Sequence, residues 1–140
     1  MNIIERNRKN IDRFRICINT NDKKLAEELI DERAEFASLI SDEKLYGGTG
    51  YLSVVEIMRR SFSDIHWEIA DVVVDENKAA VSWICSGTHD GMFMNFPATG
   101  KKFSFICMNF YYFNAEGKII KDVAAQGIMG LLQSLSLLPK

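Results

Sequence analysis

Acid/base chemistry needs a carboxyl, imidazole or phenol placed to hold and release a proton, and burial in an apolar setting raises a carboxyl's pKa towards neutrality. Three residues of this 140-residue chain answer by type and surroundings: Asp71, His89 and Tyr112. Asp71 lies in EIADVV between Ala70 and Val72, where a buried carboxyl is either hydrogen-bonded or functional. His89 ends the run SGTHDG and can either meet a ligand oxygen or tie down the loop that follows it. Tyr112, in FSFICMNFYYF, can donate a hydrogen bond to a carbonyl. His66, beside Asp64 in SFSDIH, reads as a turn-stabilising residue.

Thiol and metal chemistry fit less well. Cys17, Cys85 and Cys107 are widely spaced in apolar periodic segments, with no CxxC pair and only two histidines. That pattern reads as free buried thiols ahead of a disulfide or metal role. His89 follows Cys85 by four residues, about 13 Å along a strand, too far for a thiol–base pair. No metal site and no cofactor are expected.

The elements that must carry these residues follow from periodicity. Ile4, Ile11, Phe14 and Ile18 recur at helical spacing among charged residues, predicting an amphipathic helix over 2–19. Asn21 or Thr20 can cap a short second helix, LAEELI. The segment 31–46 is weakly patterned. Thr49, after Gly47-Gly48, is a plausible N-cap for a third helix to Phe62. From Trp67 the period becomes that of strands: WEIADVVV, AAVSWICSGTH, a loop over 90–100, the run from Phe103 to Phe113, a turn at 114–117 and IIKDVAAQ. Ile128 to Leu138 reads as a C-terminal helix. Three helices, four sequential strands and a last helix make one α+β domain over 1–140.

The run from Phe103 to Phe113 sets the architecture. Only Ser104 and Asn109 in it are neither apolar nor aromatic, so both faces of the strand are apolar and both call for cover. A core covers one face, leaving a lined cavity or a partner subunit for the other.

Composition excludes several partners. The net charge is −2 with acids and bases interspersed, so neither nucleic acid nor an anionic membrane is expected. No run of about 18 apolar residues occurs and the N-terminus carries no apolar signal core. A cytoplasmic protein is expected.

Four stretches, SFSDIH at 61–66, SGTHDGMFMNFPATGKK at 86–102, EGKII at 116–120 and GLLQSLSLLP at 130–139, together resemble the SnoaL-like polyketide cyclases, or ester cyclases, of the nuclear-transport-factor-two-like superfamily. The match is colinear over 11–139 and weak over 31–50. The resemblance implies a cone-shaped, strongly curved antiparallel sheet (a half barrel) around an apolar pocket closed by N-terminal helices. It also implies a homodimer paired through the outer sheet face, and a small hydrophobic or aromatic ligand. The implied chemistry is cofactor-independent aldol-type cyclisation or isomerisation, run by one buried aspartate on the final strand.

At that aspartate's position this chain has Gly127, and Val123 where the family has tryptophan. Gly127 cannot carry a proton. If Phe113 pairs with Lys118, Val123 falls opposite Met108. Ile106, Met108 and Tyr112 then share a face with Ile119, Val123 and Ala125, and by the family's usage that face lines the pocket together with Trp83. Asp122 is then expected on the outer face in an ion pair. Two functions stay open: a cyclase or isomerase using Asp71, His89 or Tyr112 instead, and a non-catalytic binding protein with Trp83, Ile106, Met108, Tyr112, Val123 and Gly127 around the ligand. A purely structural role, with no cavity, is a weaker third.

Overall fold

The computed structural model of the chain describes residues 1–38, 41–125 and 127–137, with the backbone alone at 125 and 127–129. Helix α1 (Ile3–Thr20) starts where the Asn2 side chain accepts from the Glu5 amide and ends at Asn21, in the left-handed region at φ 53°. Asparagine tolerates that conformation better than most residues, so Asn21 closes α1 rather than opening the next helix. Asp22 takes the capping role expected of Asn21 or Thr20, accepting from the Leu25 amide at the start of α2 (Lys23–Leu29).

Two elements were not legible in the sequence. Strands β1 (Glu35–Ala37) and β2 (Lys44–Tyr46) pair antiparallel in the weakly patterned segment. At three residues each they are too short for a two-residue period to register. Helix α3 (Gly47–Ser61) begins ahead of the expected Thr49 cap, with Tyr46 as a cap that makes no side-chain bond. The reason is packing: a Cβ on Gly48 would stand 2.5 Å from the Ala26 carbonyl carbon. Glycine there lets α3 approach α2.

Strands β3 (His66–Val74), β4 (Lys78–Thr88), β5 (Lys102–Phe113) and β6 (Ile119–Ala125) form one antiparallel sheet in that order. The sheet is curved and open, with no closed barrel. Helix α4 (Gly127–Ser134) follows β6. Gln126 and Leu138, the expected ends of the last strand and the last helix, lie outside the described residues.

One face of the sheet is covered. Ala79, Val81, Trp83 and Tyr111 are buried against Ile11, Phe14, Ile18, Leu52 and Val55 of α1 and α3. A second cluster, Phe62, Phe93, Phe103, Leu131 and Leu135, closes the sheet's other end under α4. Among the described residues the opposite face has no cover: Ile106, Met108, Phe110 and Val123 are 42–59% exposed. Among the described residues no helix is long and apolar enough to cross a membrane.

Candidate active site

The cavity lies between α1, α3 and the covered face of the sheet. It measures about 200 Å³ and is lined by Tyr51 and Met58 from α3, Trp83 and Cys85 from β4, and Phe105, Cys107, Asn109 and Tyr111 from β5. Odd-numbered residues of β5 therefore point inward, and the even-numbered ones point away. A larger groove of about 550 Å³ runs past Glu27, Asp31, Arg33, Gly48 and Lys118. It is a mainly polar trough with charges of both signs, unsuited to a hydrophobic ligand.

This facing reverses the expected one. The structure pairs Phe113 with Ile119, slips at the turn, and then pairs Tyr112 with Lys121 and Phe110 with Val123. Ile106, Met108 and Val123 do share a face, but it is the outer one. Tyr112 is half-buried on that side, with the Lys78 and Lys121 ammonium groups 5.9 and 5.6 Å from its ring centre. Ile119, past the slip, is buried in the core instead. Of the residues expected around a ligand, Trp83 alone lines the interior cavity. Gly127 opens α4, beyond the end of β6.

Asp71 is also turned outward. The ladder pairs Ile69 with Trp83 and Asp71 with Ser82, so Ala70 is an extra residue in a bulge. Without it Asp71 would share the inward face of Ile69. With it the side chain is exposed, and its Oδ1 accepts from the Val72 amide. His89 is fully buried, but beneath the loop rather than in the cavity. Its Nδ1 lies 3.0 Å from the Thr99 hydroxyl and accepts from the Thr99 amide, with the ring 5.5 Å from that of Phe62. Its place ties down 90–101. His66 is exposed, and the turn bonds are made by Asp64, which accepts from the Thr88 amide and hydroxyl.

The acid that does face inward is Asp122. It sits opposite Tyr111 on β6, and the Asn109 amide donates to its Oδ1 at 2.7 Å. Burial pushes its carboxyl from 3.8 up to about 6, and the Asn109 bond holds it back from rising further. The sequence did carry a signal for it. Asn109 interrupts an apolar run and Asp122 interrupts another, and two polar residues in paired strands are most cheaply buried together.

Behind Asp122 the site is aromatic. Trp83 Nε1 donates to the Tyr111 hydroxyl at 3.0 Å. The Phe14 ring stands 5.2 Å from both Tyr51 and Tyr111 and fixes their spacing. Burial raises both phenols well above their ordinary value, so they stay protonated donors at neutral pH. Cys85 and Cys107 are free, and burial pushes their thiols up to about 12 and about 11. Neither is a nucleophile at neutral pH. The cavity thus offers apolar walls and neutral phenols, and its lining Asn109 is bonded to a carboxyl of raised pKa, groups of the kind that acid/base chemistry uses.

Comparison with known proteins agrees with this shape. The family model described as SnoaL-like polyketide cyclase matches residues 9–135. No curated protein matches the sequence. Among solved structures, a Jannaschia sp. CCS1 protein assigned to the SnoaL-like polyketide cyclases superposes with a TM-score of 0.81 at 15% identity, covering 99% of this chain and 97% of its own. TsrD from Streptomyces laurentii gives 0.79 at 18% identity, over 94% and 95%. A SnoaL-like polyketide cyclase from Agrobacterium tumefaciens gives 0.72 at 18% identity, over 92% and 97%. At these identities the likeness is one of fold.

Proposed function

Since this chain belongs to the SnoaL-like polyketide cyclase family, we propose that it binds a small hydrophobic carbonyl compound in the interior cavity and moves a proton on it with Asp122. The observation that carries the reading is the inward carboxyl of Asp122, held by Asn109 beside an apolar cavity, with its pKa pushed up to about 6. A base is most effective with a pKa near the working pH. Asp122 would take the proton next to the carbonyl as a carboxylate and return it as a carboxylic acid, to carbon in an isomerisation or to the new alkoxide after aldol closure. That chemistry needs no metal or organic cofactor. Cavities of about 150 Å³ hold a benzene ring, so about 200 Å³ suits a compound of one or two rings.

The test is deuterium exchange. Cyclic 1,3-diketones and aryl methyl ketones incubated in D2O with the protein should gain deuterium next to the carbonyl faster than in buffer. Asp122→Asn should remove that acceleration, a loss of about 10²–10⁴-fold for a general base. Saturable binding without exchange would overturn catalysis and leave the second reading, a non-catalytic binding protein. Gly127, which has no side chain at the family's acid position, is the observation in favour of that second reading.

The outer face supports a proposed homodimer. Val73, Met108, Phe110 and Val123 border an apolar trough of about 500 Å³, and contiguous exposed apolar patches mark association sites. Sedimentation should give a dimer that Phe110→Glu dissociates; a monomer at all concentrations would remove it. Three free cysteines fit a reducing compartment, and the cytoplasm is the location proposed.

A further inference from the structure

We propose that Asn109 sets the cavity's preference: its side-chain carbonyl accepts a hydrogen bond from a hydroxyl on the ligand, so the compound held there is a phenol or an enol. The inference rests on the reading above that the interior cavity holds the ligand, and it adds the class of compound held. It asks for no contact between Asp122 and the ligand.

The cavity wall carries few polar groups: the Tyr51 and Tyr111 hydroxyls, the Trp83 indole, two thiols and the Asn109 amide. The indole N–H is taken up by the Tyr111 oxygen at 3.0 Å, and thiols are weak hydrogen-bonding groups. The Asn109 amide differs in having its orientation fixed by its partner. Asp122, as a carboxylate, can only accept. The end of the amide that lies 2.7 Å from its Oδ1 is therefore the NH2. The oxygen and nitrogen of a planar amide diverge, so the Asn109 carbonyl points away from Asp122.

That carbonyl is free and within reach of a ligand. Among the described residues, the buried side-chain atoms without a partner are Arg6 Nε, Asn21 Oδ1, Arg59 Nη1 and His89 Nε2. Asn109 Oδ1 is not one of them, and no donor among the described residues reaches it. It therefore opens on free space. Asn109 shares the inward face of β5 with Cys107 and Tyr111, while Met108 and Phe110 beside it point out. The space in front of it is the cavity.

Its surroundings decide which ligand suits it. Ala124 lies opposite on β6, and the wall continues through Phe105 and Trp83. A purely apolar compound would strip water from the carbonyl and leave it unpaired, which costs as much as a lost hydrogen bond. A ketone or ether oxygen would meet it acceptor to acceptor. A neutral hydroxyl satisfies it, and sites built for a hydroxyl reject analogues that lack one. An enolised 1,3-diketone thus suits the cavity better than an aryl methyl ketone, although both carry a carbonyl.

The test titrates phenol and toluene, alike in size, into the protein at pH 8 and follows binding by calorimetry. Asp122 is ionised there and phenol, like a tyrosine side chain, is neutral. Asn109→Leu should weaken phenol by about threefold or more, the size of one neutral hydrogen bond, and leave toluene unchanged. Asp122→Asn keeps an acceptor for the Asn109 NH2 and should leave both probes unchanged. Should Asn109→Leu unfold for want of a partner at Asp122, adding Asp122→Leu removes both polar groups together, and the same loss for phenol is expected. Toluene binding shows that each variant is folded. A phenol loss below about threefold, or an equal loss for toluene, would overturn the Asn109 assignment. So would a loss of phenol affinity in Asp122→Asn, which would give the hydroxyl to the carboxyl. Those results would leave the cavity reading standing on toluene binding by the parent. Failure of the parent to bind either probe would overturn both.

Discussion

The two faces of the sheet are built from much the same residue types and do opposite things. On β5 the inward set is Phe105, Cys107, Asn109 and Tyr111, and the outward set is Ser104, Ile106, Met108 and Phe110. By hydrophobicity alone they can hardly be told apart. What separates them is pairing. The inward polar groups are bonded to one another, Asn109 to Asp122 and Trp83 to Tyr111. Charges on the outer face instead meet water or a ring face, as Lys78 and Lys121 do at Tyr112. A buried polar group costs free energy unless bonded, whereas an exposed one does not. On a strand apolar on both sides, the polar residues that find partners mark the inside.

Among truncations, removing the largest inward side chain should break this comparison most strongly. Trp83 is fully packed and anchors Tyr111. Trp83→Ala should lower unfolding free energy by about 3–5 kcal/mol, read from urea denaturation. A loss under about 1 kcal/mol would mean that the face is not the core. No outer-face truncation should come near that value.

Much of the fold was legible and the site was not, for one physical reason. Helical spacing in Ile11, Phe14 and Ile18 and turn chemistry at 114–117 located α1 and the last hairpin, because those signals are local. Which face of a strand turns inward is set by register and bulges, which no local pattern records. The extra residue at Ala70 turned Asp71 out of the core, and the slip between Tyr112 and Phe113 turned Ile119 into it. Asp122 was expected on the outer face because the face carrying Met108 and Val123 was assigned to the pocket; that face is the outer one, so Asp122, opposite Tyr111, turns inward.

The next effect in size comes from the Asp122 carboxyl itself. Its folded pKa of about 6 lies above its ordinary 3.8, so between those values the folded chain holds a proton that the unfolded chain has released. This group's contribution is therefore fully present below about pH 4. It is lost as pH rises through about 6, leaving a deficit of roughly 2–3 kcal/mol above it. Asp122→Asn keeps an acceptor for Asn109 and removes the charge. It should be more stable than the parent at pH 8 by about that amount and nearly equal at pH 4, while deuterium exchange by the parent rises through pH 6. A variant equally stable at both pH values would show that Asp122 meets water, as outer-face acids do.

The smallest effect should come from the residue next to the strongest wall. Cys107 and Met108 are consecutive on β5, one lining the cavity and the other 59% exposed on the outer face. Cys107→Lys places an ammonium in the interior and should prevent folding or cost several kcal/mol, since a buried unpaired charge has nothing to offset its lost hydration. Met108→Lys should move the unfolding free energy of dilute protein by no more than about 0.5 kcal/mol, as surface changes usually do. Its effect should appear in self-association, where a charge in the middle of the apolar trough weakens a dimer by tenfold or more. Because Met108 is exposed, any larger change in the monomer would have to come from a strand that has turned over. Comparable damage from the two substitutions would therefore contradict the facing on which the Asp122 site depends.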